Sequence, residues 1–251
     1  MMDNISITII TVVYNDKEGL ERTVNSVLSQ TYKSLEYIIV DGGSTDGTLD
    51  VIRKYEDKIN KWISEPDHGI YDAMNKGIRM ASGKWLNFMN AGDVFANDDI
   101  IRSVFSNESV LNNYRFIYSD FLEQTKDANY FIRGKMQREE GRVHHQASIY
   151  QKDLHDIFGL YTVTKPYTVS DLLFFLSIPS EYFYKIDFPI SIISNGGVSE
   201  SGLWCIEKSC SLRVVYGYES INSAFLYYWR KKIFHMFPHS WRRFVARQFG
   251  K

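Results

Sequence analysis

Apolar positions in the first hundred residues switch between two periods. Ile5 to Val13 is a continuous, β-branched apolar run, the pattern of a strand covered on both faces. Glu18 to Gln30 sets Leu20, Val24, Val27 and Leu28 at helical spacing. Tyr37 to Val40 reads as a second buried strand, and Asp46 to Tyr55 as a second helix with Asp46 at its N-cap. Trp62 and Ile63 suggest a short third strand, Tyr71 to Ala81 a helix, and Trp85 to Met89 a fourth strand. Strand–helix alternation with short links predicts right-handed crossovers and a parallel sheet. After about residue 112 the rhythm changes. Arg115–Ser119, Asn129–Arg133 and Ala147–Tyr150 suggest shorter strands, and Asp171 to Leu176 starts a helix, with Ser170 as its cap. From Glu219 a helical pattern returns through Ile221, Ala224, Phe225, Tyr228 and Ile233, until Pro238 breaks it before Trp241, Phe244, Val245 and Phe249.

Composition narrows the class. The chain has 251 residues, 44% apolar and 24% charged, so it can bury a sizeable core and is not disordered. No apolar run reaches the length of a membrane span, and MMDNISITIITVVYN lacks the small-residue cleavage site of a signal peptide. Cys205 and Cys210 are too few for a disulfide framework, so a reduced, cytoplasmic setting is expected. A net charge of −1 hides an asymmetry: residues 223–251 hold seven Lys/Arg and no Asp/Glu, while the first 222 hold 22 basic and 30 acidic residues. With an acidic body and no recognised binding motif, nucleic acid is not an expected partner.

Ligands of open α/β sheets bind outside the carboxyl ends of the strands. Here those ends read Val12-Val13-Tyr14-Asn15, Asp41-Gly42-Gly43-Ser44-Thr45-Asp46-Gly47, Glu65-Pro66-Asp67-His68-Gly69 and Asn90-Ala91-Gly92-Asp93. Four polar or glycine-rich ends on one edge predict a ligand crevice. Asp41 reads either as a turn-capping aspartate or as an acceptor for a base N–H, from a uracil imide or a guanine edge. Gly42 and Gly43 allow close backbone approach. The segment is neither a dinucleotide-binding fingerprint nor a P-loop, because the G-x-G-x-x-G spacing and the Gly-Lys-Ser/Thr are missing. Asp93 reads either as a helix cap or as an oxygen ligand for Mg²⁺ or Mn²⁺ shared with a diphosphate.

In order, Thr11-Val12-Val13-Tyr14-Asn15, Val40-Asp41-Gly42-Gly43-Ser44-Thr45-Asp46-Gly47-Thr48 and Ser64-Glu65-Pro66-Asp67-His68-Gly69-Ile70-Tyr71-Asp72-Ala73-Met74-Asn75-Lys76-Gly77 resemble the inverting family 2 glycosyltransferases. The nearest likeness is to bacterial enzymes that build O-antigen, colanic acid and other surface polysaccharides. It is strong over residues 5 to 95, traceable through His145-Gln146, Ser170-Asp171 and Gly196-Gly197-Val198-Ser199, and faint past residue 210. The resemblance implies an α/β GT-A fold, with a mixed, mainly parallel sheet over residues 1–212 (1–95 nucleotide-binding, 96–212 acceptor-side) and a basic helical extension over 213–251. It implies a nucleotide-diphosphate sugar donor, with UDP preferred. Thr11, Tyr14, Asn15 and Asp41 would then line the base and ribose pocket, with Gly43 and Ser44 also binding the donor (Ser44 can alternatively cap the helix that follows), and Asp67, Gly69, Tyr71 and Asn75 would lie beneath the nucleotide and sugar, unless Asn75 only ties down its helix. Gly197 and Ser199 would belong to a loop closing over the donor.

The family's Asp-x-Asp metal motif is altered here to Asn90-Ala91-Gly92-Asp93. Asp93 is the expected ligand of a divalent metal (Mn²⁺ or Mg²⁺), and Asn90 a partner of the ribose or of metal-bound water. Asp171, 78 residues after Asp93, matches the family's catalytic base at the start of a helix. Burial there is expected to raise its pKa, and a helix-start carboxylate favoured by the dipole is the alternative. His145 is placed near the diphosphate, the metal or the acceptor, with a purely structural histidine as the alternative. The resemblance further implies an undecaprenyl-diphosphate-linked saccharide acceptor. The basic, aromatic tail suits an anionic inner-membrane surface or packing on the body. The rival function is a catalytically silent nucleotide-sugar-binding or docking module of the same fold. A sugar nucleotidyltransferase would want a Gly-rich, basic loop after the first strand, which Val13-Tyr14-Asn15-Asp16-Lys17-Glu18-Gly19 is not.

Overall fold

The computed structural model describes residues 7–124, 131–163, 169–194 and 203–236. The chain divides into two compact units, residues 1–138 with 142–195, and residues 139–141 with 196–251.

In the first unit the chain runs β1 (Ile7–Val13), α1 (Lys17–Leu28), β2 (Leu35–Asp41), α2 (Thr48–Lys54), β3 (Lys61–Ser64), α3 (Ile70–Met80) and β4 (Trp85–Phe88). It continues through β5 (Val94–Phe95), α4 (Ile100–Phe105), α5 (Glu108–Asn113), β6 (Phe116–Tyr118), β7 (Phe121–Gln124) and β8 (Phe131–Gly134). It ends with β9 (Ser148–Gln151), α6 (Leu154–Phe158), α7 (Ser170–Ser177), β10 (Phe183–Lys185) and β11 (Ser191–Ile193). The main sheet has seven strands in the order β10-β6-β9-β4-β1-β2-β3. Within it β9 alone runs antiparallel, against both β4 and β6. The sheet is therefore mixed and mainly parallel, as expected. A second sheet, β5-β11-β7-β8, is not foreseen by the sequence as a sheet, although β8 overlaps the expected strand Asn129–Arg133.

Period-two alternation in β1 explains both faces of the core. Ile7, Ile9 and Val13 pack with Leu20, Val24 and Val27 of α1 and with Ile52 and Ile101. Ile10 and Val12 face the other way, onto Met74 and Ile78 of α3 and Phe174 and Phe175 of α7. Two covered faces are why β1 and β2 read as unbroken apolar runs. Gly77 lets α3 settle on the sheet, since a Cβ there would lie 2.5 Å from Ile10 Cγ2.

Two helix starts differ from expectation. At α2 the cap position is Gly47, in the left-handed region. Asp46, one residue earlier, spends its carboxylate on the Thr48 N–H (3.0 Å) and hydroxyl (2.6 Å) and on the Lys17 N–H (3.1 Å). At α7 Ser170 is the first helical residue instead of the cap, because its hydroxyl is taken by the Thr162 N–H at 2.6 Å.

The second unit contains α8 (Leu203–Val215) and α9 (Ile221–Met236). Arg213 pairs with Glu219 at 3.1 Å at the turn between them. Among the described residues no helix is long and apolar enough to cross a membrane.

Candidate active site

The four loops expected to form a crevice do leave one edge of the main sheet, because β1, β2, β3 and β4 are parallel. Backbone bonds stitch them together: the Gly42 N–H to Val13 O (2.9 Å), Glu65 N–H to Asp41 O (3.0 Å) and Ala91 N–H to Val12 O (3.2 Å).

The first cluster surrounds Asp41. Its carboxylate is fully buried and accepts from the Ser44 hydroxyl (2.5 Å), the Ser44 N–H and the Ser64 hydroxyl (2.6 Å). Ser44 Oγ in turn accepts the Asn15 N–H at 2.7 Å, and Asn15 Oδ1 accepts the Thr45 N–H at 2.8 Å. Asn15 holds a positive φ of 49°, which Asn tolerates better than most residues. Tyr14 beside it is 67% exposed, an aromatic plate at the rim. Gly42 leaves room here: a Cβ would sit 2.5 Å from Asp67 Oδ2 and 3.3 Å from the Tyr14 ring, so the Asp67 carboxylate would have to shift. Asp67 accepts the Gly69 N–H at 2.7 Å, closing the loop that enters α3, and Gly43 backs onto Pro66.

Two expected pocket residues lie elsewhere. Thr11 is fully buried, its hydroxyl bonded to Met89 O (2.8 Å) and Tyr37 Oη (3.0 Å). Asn75 is buried with both ends of its amide on the Tyr161 backbone, at 2.8 and 3.0 Å. Both are struts, because the pleat and the helix turn them into the body and not toward the crevice. Gly197 and Ser199 lie outside the described residues.

The second cluster is Asp93, also buried. Its Oδ1 accepts from the Ser194 N–H (2.9 Å) and hydroxyl (3.3 Å), and its Oδ2 from the Gln146 amide (3.0 Å). Burial raises its pKa, and the Ser194 and Gln146 hydrogen bonds together with the charge of His145 offset only part of that. Neither Gln146 nor Ser194 was singled out from sequence as a site residue. Gln146 adjoins His145 in the phrase that carries the resemblance, whereas Ser194 carries no sequence signal. Among the described residues no three His, Cys, Asp or Glu side chains are grouped as a metal cage. The donor set nevertheless suits a hard cation. Oδ2 keeps a free acceptor position, and the neighbouring Asn90 Oδ1 is a buried oxygen without a hydrogen-bond partner.

The third cluster joins residues far apart in sequence. Asp171, at the start of α7, accepts from the Tyr71 hydroxyl (2.7 Å) at Oδ1 and bonds His145 Nδ1 (2.8 Å) at Oδ2. His145 Nε2 meets the Asn90 amide at 2.8 Å. An ionised Asp171 accepts the Nδ1 proton of His145. The Asp171 side chain is 17% exposed, hence open to a bound hydroxyl. Its pKa does not rise as burial alone would dictate. Burial is outweighed by the His145 hydrogen bond and charge, the Tyr71 hydroxyl and the Leu172 N–H, which together bring it to about 2. Burial and the adjacent carboxylate push the Tyr71 phenol far up, so it stays a donor. His144, the neighbour in sequence, is exposed and stacks on Phe121 at 5.1 Å, outside this chain of contacts.

The chain is similar to known proteins over much of its length. Residues 8–152 match the family described as Glycosyl transferase family 2. An uncharacterized glycosyltransferase of Mycobacterium tuberculosis is 43% identical over 97 residues, 38% of this chain and 37% of the relative. A PGL/p-HBAD biosynthesis glycosyltransferase of Mycobacterium bovis is 28% identical over 161 residues, 62% of this chain and 63% of the relative. The chain thus matches between 37% and 63% of the length of these relatives. Among solved structures, a fragment of Staphylococcus aureus TarS in complex with UDP-GlcNAc superposes with TM-score 0.65 at 16% identity, covering 83% of this chain and 66% of that one. A Pyrobaculum calidifontis mannosyltransferase in complex with GDP-Man and Mn²⁺ gives TM-score 0.61 at 15% identity, covering 84% and 62%. With more than half of its length inside the family match and a mixed, mainly parallel sheet shared with these enzymes, this chain belongs to glycosyl transferase family 2.

Proposed function

We propose that this protein transfers a hexosyl group from a UDP-sugar, with inversion, onto a lipid-linked saccharide in the assembly of a bacterial surface polysaccharide, at the cytoplasmic face of the inner membrane. The observation that carries the catalytic reading is the Tyr71–Asp171–His145–Asn90 chain of hydrogen bonds at the crevice edge. Donors bound by the structural neighbours, UDP-GlcNAc and GDP-Man, support a nucleotide-sugar substrate.

Asp171 acts as general base. It takes the proton of the acceptor hydroxyl while that oxygen attacks the anomeric carbon on the face opposite the diphosphate. The bond from that carbon to the phosphate oxygen breaks, and its electron pair leaves with the nucleoside diphosphate. A pKa near 2 keeps Asp171 ionised at any working pH. It also makes the carboxylate a weak base, so proton transfer is concerted with attack. His145 and Tyr71 fix the direction of its lone pairs. On the donor side Tyr14 offers a stacking face, and a base N–H would replace the Ser44 hydroxyl on Asp41. Asp93 and Asn90 would hold the divalent cation, which when bound offsets the charge of the departing diphosphate. Gln146 and Ser194 orient Asp93 for that task.

The test is donor hydrolysis and transfer across a panel of UDP-, GDP- and dTDP-sugars, with Mn²⁺ or EDTA, for the parent and Asp171→Asn. Turnover with a UDP-sugar that is lost in the variant while UDP binding survives supports the reading. Binding without turnover in the parent would instead make the chain a silent module, and turnover indifferent to EDTA would remove the metal.

A further inference from the structure

We infer that α9 is an interfacial helix that lays its exposed face on an anionic lipid surface. This sharpens the membrane element of the reading above but does not depend on its chemistry. Ile221, Phe225, Trp229 and Ile233 follow one another at i, i+4 spacing, and Leu226 and Met236 flank them. Together they form a single apolar stripe about 24 Å long, at 1.5 Å per residue. All six side chains are between 39% and 77% exposed, whereas Ala224 on the opposite face is buried. Phe225 and Trp229 meet edge to face at 5.9 Å, so the stripe is preorganised.

Charge says what covers it. Arg230 lies at one edge of the stripe, and Lys232 at the other, its ammonium 4.7 Å from the centre of the Trp229 ring. No acidic residue occurs from Ser223 to Lys251. A protein partner would be expected to answer such a face with carboxylates placed against particular cations. A sheet of anionic headgroups over acyl chains answers it without registry: the rings and aliphatic chains sink to the acyl boundary while the cations stay among phosphates. Over its 16 described residues, three of them adjacent cations, α9 suits lying on a bilayer rather than crossing it.

The experiment is flotation of the full chain with vesicles containing phosphatidylglycerol and phosphatidylethanolamine, and with vesicles of phosphatidylcholine alone, at low and high salt. The expected result is binding to the anionic vesicles that salt weakens, and much weaker binding to phosphatidylcholine. Phe225→Ser with Trp229→Ser lowers the partition by at least about tenfold. Arg230→Gln and Lys232→Gln each lower it by about fivefold. Both sets leave donor hydrolysis in solution unchanged, which separates this proposal from the catalytic one. Equal binding to both vesicle types, or none, overturns it. So does light scattering that shows a dimer broken by the serine variants in a chain that ignores vesicles.

Discussion

Asp93 and Asp171 are two largely buried carboxylates of one crevice, and their surroundings push them in opposite directions. Asp93 is hydrogen-bonded by an amide and a serine and also feels the charge of His145, yet burial wins: its pKa is raised. Asp171 is held by an imidazole and a phenol, and burial loses: its pKa falls to about 2. Burial alone therefore says little about a carboxylate's task. A charge partner within hydrogen-bond reach decides which form the fold favours. On the function proposed above, the difference would divide the work between a carboxylate kept ionised for the acceptor's proton and one whose charge a cation would meet.

The largest expected effect comes from removing the ionised member. Asp171→Asn lowers transfer by about 10²–10⁴-fold, the usual share of a general base, and calorimetry finds UDP bound as in the parent. Next is its partner. His145→Gln deletes the imidazole, so burial regains the upper hand and the Asp171 pKa climbs. The acid limb of the pH–rate profile then moves to higher pH, by about 1–3 units. A loss of rate at every pH with the limb unmoved would break the comparison. Tyr71→Phe removes one hydrogen bond to a charged group, worth about 1.5–3 kcal/mol. It moves the same limb in the same direction by less, with KM for the donor little altered.

The smallest effect concerns stability and has the opposite sign for the two residues. Asp171, depressed in the fold, stabilises the protein above the unfolded carboxylate pKa, and that contribution is lost as pH falls toward 2. Asp93, raised in the fold, carries a penalty at neutral pH that is relieved as it protonates. In urea unfolding at pH 7, Asp93→Asn should match or exceed the parent, an advantage that fades on acidification, while Asp171→Asn should be less stable.

The sequence made one half of this legible and not the other. Strands β1 to β4 and helices α1 to α3 announce themselves because each apolar run is stopped by a cluster of Gly, Asp or Asn that cannot continue it. Beyond residue 112 the strands are three or four residues long and pair out of order, β10 beside β6 and β11 beside β7. Such pairings depend on distant partners and leave no local period. In the site, Asp171 and His145 stood out by resemblance, but the bond between them spans 26 residues, and that to Tyr71 spans 100. No spacing rule reports such contacts, so the bond from Tyr71 to Asp171 left no signal in the sequence. The rise expected for the Asp171 pKa failed for the same reason: desolvation can be guessed from an apolar stretch, an imidazole folded against it cannot. Thr11 and Asn75 show the opposite ambiguity. A hydroxyl at a strand end and an amide on a helix look identical whether they face a ligand or brace the backbone, and here Met89 O and the Tyr161 backbone claim them.

The most direct test is a titration of the two side-chain carboxyl carbons in one sample of Asp-labelled protein, followed by NMR and assigned with Asp93→Asn and Asp171→Asn. The account predicts that Asp171 titrates near 2 and Asp93 above the ordinary value of 3.8. An Asp171 that titrates at or above 3.8, or an order in which Asp93 ionises first, would contradict it.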